Sequence, residues 1–147
     1  MHLDYWFRAQ RNMTHPRRGE RELKVLKHII DPAKVSIDIG ANKGVYTYWL
    51  QRFSKHVYAY EPNPQIYQTF LSRLKGNITA RNRAVSNVTG QSKFRVARAA
   101  AGNDKWFYLH QGGTLETGNI NGDGAGSGYE EITVETRRLD DEGIENI

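Results

Sequence analysis

An α/β fold of the Rossmann-like kind, built on a βαβαβ unit with strand order 3-2-1, is what this 147-residue sequence predicts. Three observations carry it. A short apolar strand, Val35–Ile39, runs into the turn Gly40-Ala41-Asn42-Lys43-Gly44, which opens a helix. A second strand, Val57–Tyr60, ends on an acidic turn, Glu61-Pro62-Asn63-Pro64. Ile66, Tyr67, Phe70, Leu71 and Leu74 then recur at helical spacing, and Gly76 closes that helix ahead of a third strand over 78–85. An apolar strand feeding a glycine turn and a helix, with a carboxylate at the tip of the next strand, suits a nucleotide moiety.

Taken in order, residues 1–18 form an N-terminal extension without a clean period, and His15-Pro16 breaks any helix there. Residues 19–85 are the βαβαβ unit with a leading helix over Glu20–Ile30. Leu23, Leu26 and Ile30 share one face of it, with Val25 and Ile29 beside them. Its acidic start, its Lys27 and His28 end, and the stop at Asp31-Pro32 suit a helix dipole. In the next helix, Val45, Tyr48, Trp49 and Phe53 face the sheet, which makes Trp49 a core residue. Asn63 is the N-cap of the following helix, with Pro64 in its first turn. Residues 86–147 are read as an extension: a turn at Asn87–Gly90, a strand over Gln91–Ala97 pairing back in hairpin fashion, a glycine-rich flap over 111–128, and a last strand over Ile132–Thr136. The whole is one domain, long enough to bury a real core.

Composition narrows the classes. Apolar residues make up 38% and aromatic residues 11%, which argues against disorder. The absence of Cys removes disulfides and thiolate metal sites. No apolar run reaches membrane-spanning length and the first residues lack the core of a signal peptide, so a cytoplasmic setting without membrane is expected. Net charge is +5, unevenly spread. Residues 73–105 carry eight basic groups against Asp104, whereas residues 106–147 carry nine acidic groups against Arg137 and Arg138. No aromatic platform interleaves the basic block, so solvated and compensated charge is preferred over a nucleic-acid surface.

The chemistry of the first turn is specific. Asp38-x-Gly40-x-Asn42-x-Gly44 lacks the Gly-x-Gly-x-x-Gly spacing of dinucleotide sites and the Gly-Lys-Ser/Thr of a P-loop. A pyrophosphate asks for bare backbone amides at a helix N-terminus. Here Asp38 and Asn42 offer side-chain polarity instead, which suits an amino-acid zwitterion. Glu61 stands where a ribose-binding carboxylate is expected. An amino-acid tail plus a ribose, with no phosphate, describes S-adenosylmethionine.

At these residues the chain resembles the FkbM-type family of class I S-adenosylmethionine-dependent methyltransferases. The matching stretches are Ile37-Asp38-Ile39-Gly40-Ala41-Asn42-Lys43-Gly44-Val45-Tyr46-Thr47 and Tyr60-Glu61-Pro62-Asn63-Pro64. Weaker matches are Asn82-Arg83-Ala84-Val85-Ser86 with Gly90, and Thr136-Arg137-Arg138-Leu139-Asp140. The resemblance implies that Asp38, Gly40, Ala41, Asn42 and Gly44 surround the methionine part of the cofactor, with Tyr46 and Thr47 beneath it. It implies that Glu61 binds the ribose hydroxyls, that Pro62 and Asn63 lie near the adenine edge, and that Asn82, Ala84 and Val85 border the adenine. It also implies methyl transfer, O-directed, to a small-molecule or carbohydrate acceptor.

Family members continue past the Leu-Asp segment into a fourth strand bearing a Lys-Ile-Asp-x-Glu-Gly-like motif. This sequence stops at Ile147, where that strand should begin, so the C-terminal half of the fold is expected to be missing. Strand one is then left with a bare edge, weak stability and a route to self-association. No catalytic residue is assigned; His110 is a candidate base better read as a loop residue. Two alternatives stay open, a cofactor-binding remnant without turnover and a basic RNA-binding module. Asn119-x-Asn121-x-Asp123-Gly124 with Glu130 has calcium-loop spacing but no leading Asp and no flanking helices, so no metal is expected. The sequons at Asn12, Asn77 and Asn87 are read as chance matches.

Overall fold

The computed structural model describes residues 20–97, 115 and 129–147. The 1–18 extension, His110, the glycine-rich segment apart from Leu115, and the calcium-like pattern as far as residue 128 lie outside the described residues. Within them, a 3₁₀ turn over Arg21–Lys24 leads into α1 (Leu26–Ile29), β1 (Val35–Ile39), α2 (Val45–Leu50), β2 (His56–Tyr60) and α3 (Pro64–Thr69). A second 3₁₀ turn, Leu71–Arg73, precedes β3 (Ile78–Arg81), β4 (Ala84–Val85), β5 (Gly90–Ala97) and β6 (Tyr129–Arg137), and a third covers Leu139–Glu142.

β1, β2 and β3 form a parallel sheet in the order 1-2-3, as the βαβαβ reading predicts. The register runs from Val35 opposite His56 to Ile39 opposite Tyr60, and from Val57 opposite Ile78 to Tyr60 opposite Arg81. Strand side chains alternate between faces. Val57 and Ala59 point to the helical side, where two clusters close the core. Leu23, Leu26, Trp49 and Leu50 pack on Val57, and Ala41 and Leu71 pack with Ala59. Full burial of one such large apolar side chain stabilises by about 1.5–3 kcal/mol.

The leading helix departs from its expected form. Its first turn winds as 3₁₀, and only four residues are α-helical. Leu23 and Leu26 are buried, three residues apart, and in a 3₁₀ turn residues three apart lie above one another. Val25 and Ile29 face outward instead, 49% and 72% exposed. α3 is also shorter than expected. Asn63 caps it as foreseen, its Oδ1 accepting from Gln65 N at 3.0 Å and Ile66 N at 3.3 Å. After Thr69 the backbone tightens through Phe70 into the 3₁₀ turn.

The third strand breaks in two. Asn82 donates its side-chain amide to Glu61 O at 2.7 Å and Pro62 O at 3.2 Å, which turns the chain out of the sheet after Arg81. β4 then joins a second sheet in the order β4-β6-β5. This corrects the expected hairpin. β5 does not fold back on the third strand; its antiparallel partner is β6, with Gly90 opposite Thr136 and Ala97 opposite Tyr129. β4 runs parallel to β6 on its other side. Ala84, Phe94 and Val134 are the buried core of this sheet.

The two sheets are tied together by Glu142. Its side chain is fully buried and forms ion pairs with Arg81, with Arg83 at 3.1 Å and with Arg137 at 3.5 Å. Tyr60 donates its hydroxyl to the same carboxylate at 3.1 Å. Arg81 also lies over the Tyr58 ring, 5.4 Å from its centroid. Arg95 pairs with Glu131 at 3.8 Å. Several charges of the basic block therefore face carboxylates of the acidic C-terminal stretch.

Beyond Gly143 the chain reaches β1. Val35 N donates to Asn146 O at 3.0 Å, Asn146 donates to Ala33 O at 3.2 Å, and Lys34 Nζ donates to Ile147 O at 2.8 Å. The β1 edge expected to be bare thus carries residues 146 and 147 at its start. No helix among the described residues is long and apolar enough to cross a membrane.

Candidate functional site

The site grows from the two turns that end β1 and β2. At the end of β1 the backbone needs left-handed geometry three times: Gly40 has φ +75°, Asn42 φ +50° and Gly44 φ +74°. Glycine adopts this at little cost, and Asn is the side chain that tolerates it best. Gly44 is further constrained by packing, since a Cβ there would lie 2.7 Å from Leu74 Cδ1 and 3.1 Å from Leu71 Cδ1. Gly40 faces open space, with nothing within 4 Å of such a Cβ.

Glu61 locks the two turns to one another. Its Oε2 accepts from Asn42 N at 2.8 Å and its Oε1 from Asn63 N at 2.8 Å. Gly40 N and Ala41 N both donate to Tyr60 O, at 2.9 and 2.8 Å. A carboxylate has about four lone-pair sites, so Glu61 keeps capacity for further donors. Its residue is 5% exposed, and burial raises its carboxyl above the ordinary range against the pull of the Asn63 and Asn42 amides.

Asp38 is held from beneath. Thr47, fully buried in α2, donates its hydroxyl to Asp38 Oδ2 at 2.5 Å. Burial raises Asp38 as well, with the Thr47 bonds opposing. Beside it opens a cavity of about 300 Å³ lined by Glu20, Asp38, Gly40, Ala41, Asn42, Lys43, Val45 and Tyr46. Two residues of its lining carry an acceptor that is buried without a hydrogen-bond partner: Asn42 Oδ1 and Glu20 Oε2. Tyr46 donates its hydroxyl to Glu22 at 3.2 Å, and burial with the charges of Glu20 and Glu22 raises its ionisation well above normal.

The expected site residues therefore divide. Asp38, Gly40, Ala41, Asn42 and Tyr46 line the cavity directly. Thr47, Glu61 and Asn63 stand behind it, fixing Asp38 and the two turns, and Gly44 forms the tight N-cap of α2. Pro62 and Asn82 meet at the rim of the acidic turn through the Asn82–Pro62 bond. Ala84 is buried under the second sheet, and Val85 pairs with Arg137. Glu20, Lys43 and Val45 were not foreseen as site residues. Glu20 had a signal, an acidic residue opening the leading helix, but that signal points equally to the helix dipole. Among the described residues no group of three or more His, Asp or Glu could hold a metal ion.

The raised carboxyls set a pH dependence. A carboxyl whose folded-state pKa exceeds its unfolded value binds its proton more tightly in the folded chain. Its stabilising contribution is full below the unfolded pKa and is lost as pH rises through the folded one. For Asp38 this means that Asp38→Asn should gain stability relative to the parent as pH rises from about 4 toward neutrality. Urea denaturation of both proteins across that range reads the difference, and a gap that moves the other way contradicts the burial argument.

Comparison with known proteins places this geometry. The family described as the methyltransferase FkbM domain matches residues 38–147. No curated protein sequence matches. Among solved structures, an rRNA methylase from Streptococcus thermophilus is similar at 22% identity and a TM-score of 0.39, over 44% of this chain and 41% of that one. The 23S rRNA methyltransferase ErmE is similar at 22% identity and a TM-score of 0.39, over 44% of this chain and 28% of its own. A candidate S-adenosylmethionine dependent methyltransferase from Listeria monocytogenes is similar at 14% identity and a TM-score of 0.37, over 80% and 78%. The chain thus spans less than half the length of the first two structures it matches. Because the family match takes in most of the chain and both turns that Glu61 joins, the chain belongs to the FkbM methyltransferase domain family.

Proposed function

We propose that the cavity beside Asp38 receives the methionine end of S-adenosylmethionine, and that the chain is the cofactor-binding part of an enzyme that methylates a hydroxyl oxygen on a small-molecule or carbohydrate acceptor. The observation that carries the reading is the pair of unpaired buried acceptors, Asn42 Oδ1 and Glu20 Oε2, on residues that line one cavity together with Asp38. A buried acceptor without a donor costs about 1–3 kcal/mol, which a ligand ammonium would recover. The acceptor set also fits by sign, because desolvation raises Asp38 and Glu20 and a bound cation lowers such values.

When bound, the cofactor supplies a methyl group activated by its sulfonium. The protein's own work is placement. Thr47 holds Asp38 in its rotamer, Glu61 holds the Asn42 turn against the acidic turn, and Asn82 fixes the backbone of Glu61 and Pro62. The remaining lone pairs of Glu61 suit the ribose hydroxyls, with Pro62, Asn63 and Asn82 toward the adenine. Methyl transfer then depends on an acceptor oxygen aligned with the sulfonium methyl. No described residue is assigned as its base.

Label transfer tests this reading. The purified protein is incubated with methyl-labelled S-adenosylmethionine and a panel of hydroxyl-bearing small molecules and carbohydrates. Label in an O-methyl product, absent with Glu61→Ala, is the expected result. Transfer to RNA alone would overturn the acceptor assignment, and cofactor binding with no transfer to any acceptor would make the chain a non-catalytic binder.

A further inference from the structure

The family match begins at residue 38, yet one wall of the cavity comes from earlier in the chain. Glu20 sits at the mouth of the 3₁₀ turn Arg21–Lys24, and the turn is anchored by Leu23, which is 2% exposed in the core against Trp49 and Val57. This anchoring places the Glu20 carboxylate in the lining that also holds Asp38 and Asn42. Glu20 is half-buried, and its carboxylate interacts with the Tyr46 hydroxyl. Its Oε2 is buried and has no hydrogen-bond partner among the described residues.

We infer that Glu20 is a specificity residue of the cofactor site, accepting from the α-ammonium of the amino-acid tail together with Asn42 Oδ1 and Asp38. An ammonium carries three donors and no acceptor. The cavity presents acceptors from three side chains on three local elements: the leading 3₁₀ turn, β1 and the first glycine turn. Thr47 holds Asp38 through its hydroxyl on Oδ2 and through its backbone N–H, and the carboxylate's about four lone-pair sites leave capacity for the ammonium. Lys43 also lines the cavity, and its ammonium lies 5.5 Å over the centroid of the Phe70 ring. The leading segment is then part of the binding machinery. It reads the amino-acid tail, whereas Glu61 and the acidic turn read the nucleoside.

This inference rests on the reading of the cavity as the S-adenosylmethionine site, and the two can fail separately. Calorimetric titration uses three ligands: S-adenosylmethionine, S-adenosylhomocysteine and 5′-methylthioadenosine. The first two share the ammonium, only the first has the sulfonium, and the third lacks both. Glu20→Gln keeps the shape and removes the charge. It should weaken the first two by a similar factor, about tenfold or more, and leave the third unchanged. Glu145→Gln, at an exposed residue outside the cavity lining, should bind all three within about twofold of the parent. Unchanged affinity for all three ligands in Glu20→Gln overturns the inference while the cofactor site stands. Loss confined to S-adenosylmethionine overturns it in favour of a contact to the sulfonium. Equal loss for all three, the thioadenosine included, overturns it in favour of a structural role. Failure of the unmodified protein to bind any of them removes the reading on which the inference rests.

Discussion

Glu142→Ala is expected to lower folding stability by about 2–4 kcal/mol. The carboxylate is fully buried and stands between Arg81, Arg83 and Arg137, with the Tyr60 hydroxyl as a further donor. Its removal leaves three guanidinium groups near one another, with Glu135, 3.5 Å from Arg83, the one other carboxylate paired to them among the described residues. The arginine side chains are 24–39% exposed, so water relieves part of the cost and the loss falls below that of a wholly buried pair. Asp140→Ala is the matching control. Asp140 pairs with Arg138 at 3.2 Å but its side chain is 82% exposed, and such a pair contributes less than about 1 kcal/mol. Urea denaturation of both variants reads the contrast. Equal and small losses would show that Glu142 is not the clasp between the sheets.

The second large effect falls on ligand binding. Glu61→Ala should weaken S-adenosylmethionine by about 100-fold or more, since the two charge-assisted hydrogen bonds we propose from the ribose to Glu61 would contribute about 1.5–3 kcal/mol each. Alanine also frees Asn42 N and Asn63 N, which the carboxylate holds at 2.8 Å each. The turn that presents Asn42 would loosen with it. Glu61→Gln separates the two contributions, because one amide oxygen can still accept from one of the two backbone amides. Its affinity should fall between alanine and the parent. Titration of both variants, with circular dichroism to establish that each is folded, tests this. A folded Glu61→Ala protein that binds within about threefold of the parent would remove Glu61 from the site.

The part of this structure that was legible in the sequence is the part built from local rules. The glycine-bearing turn after Ile39 declares itself because only Gly and Asn accept the backbone angles there. The Asn63 cap and Pro64 declare the start of α3 in the same way. What was not legible depends on distant pairing. Nothing local in Gln91–Ala97 reveals that its partner is Tyr129–Arg137, or that β6 sits between it and β4. The Glu142 clasp joins residues as far apart as Tyr60 and Glu142. Its only trace in the sequence is the charge asymmetry between the basic block and the acidic end. In the leading helix the expected face holds at Leu23 and Leu26, which are buried, but the period did not reveal that the first turn winds as 3₁₀ and that Val25 and Ile29 are left exposed. Glu20 opens that turn and lines the cavity, which the sequence does not distinguish from an ordinary acidic helix start.

The most direct test of the cofactor site is a calorimetric titration of the unmodified protein with S-adenosylmethionine, S-adenosylhomocysteine and NAD. The cavity beside Asp38 offers acceptors for an ammonium and no phosphate cradle, so saturable binding of the first two without binding of NAD is expected. Binding of NAD in place of the adenosyl amino acids, or no binding by folded protein, would contradict the assignment.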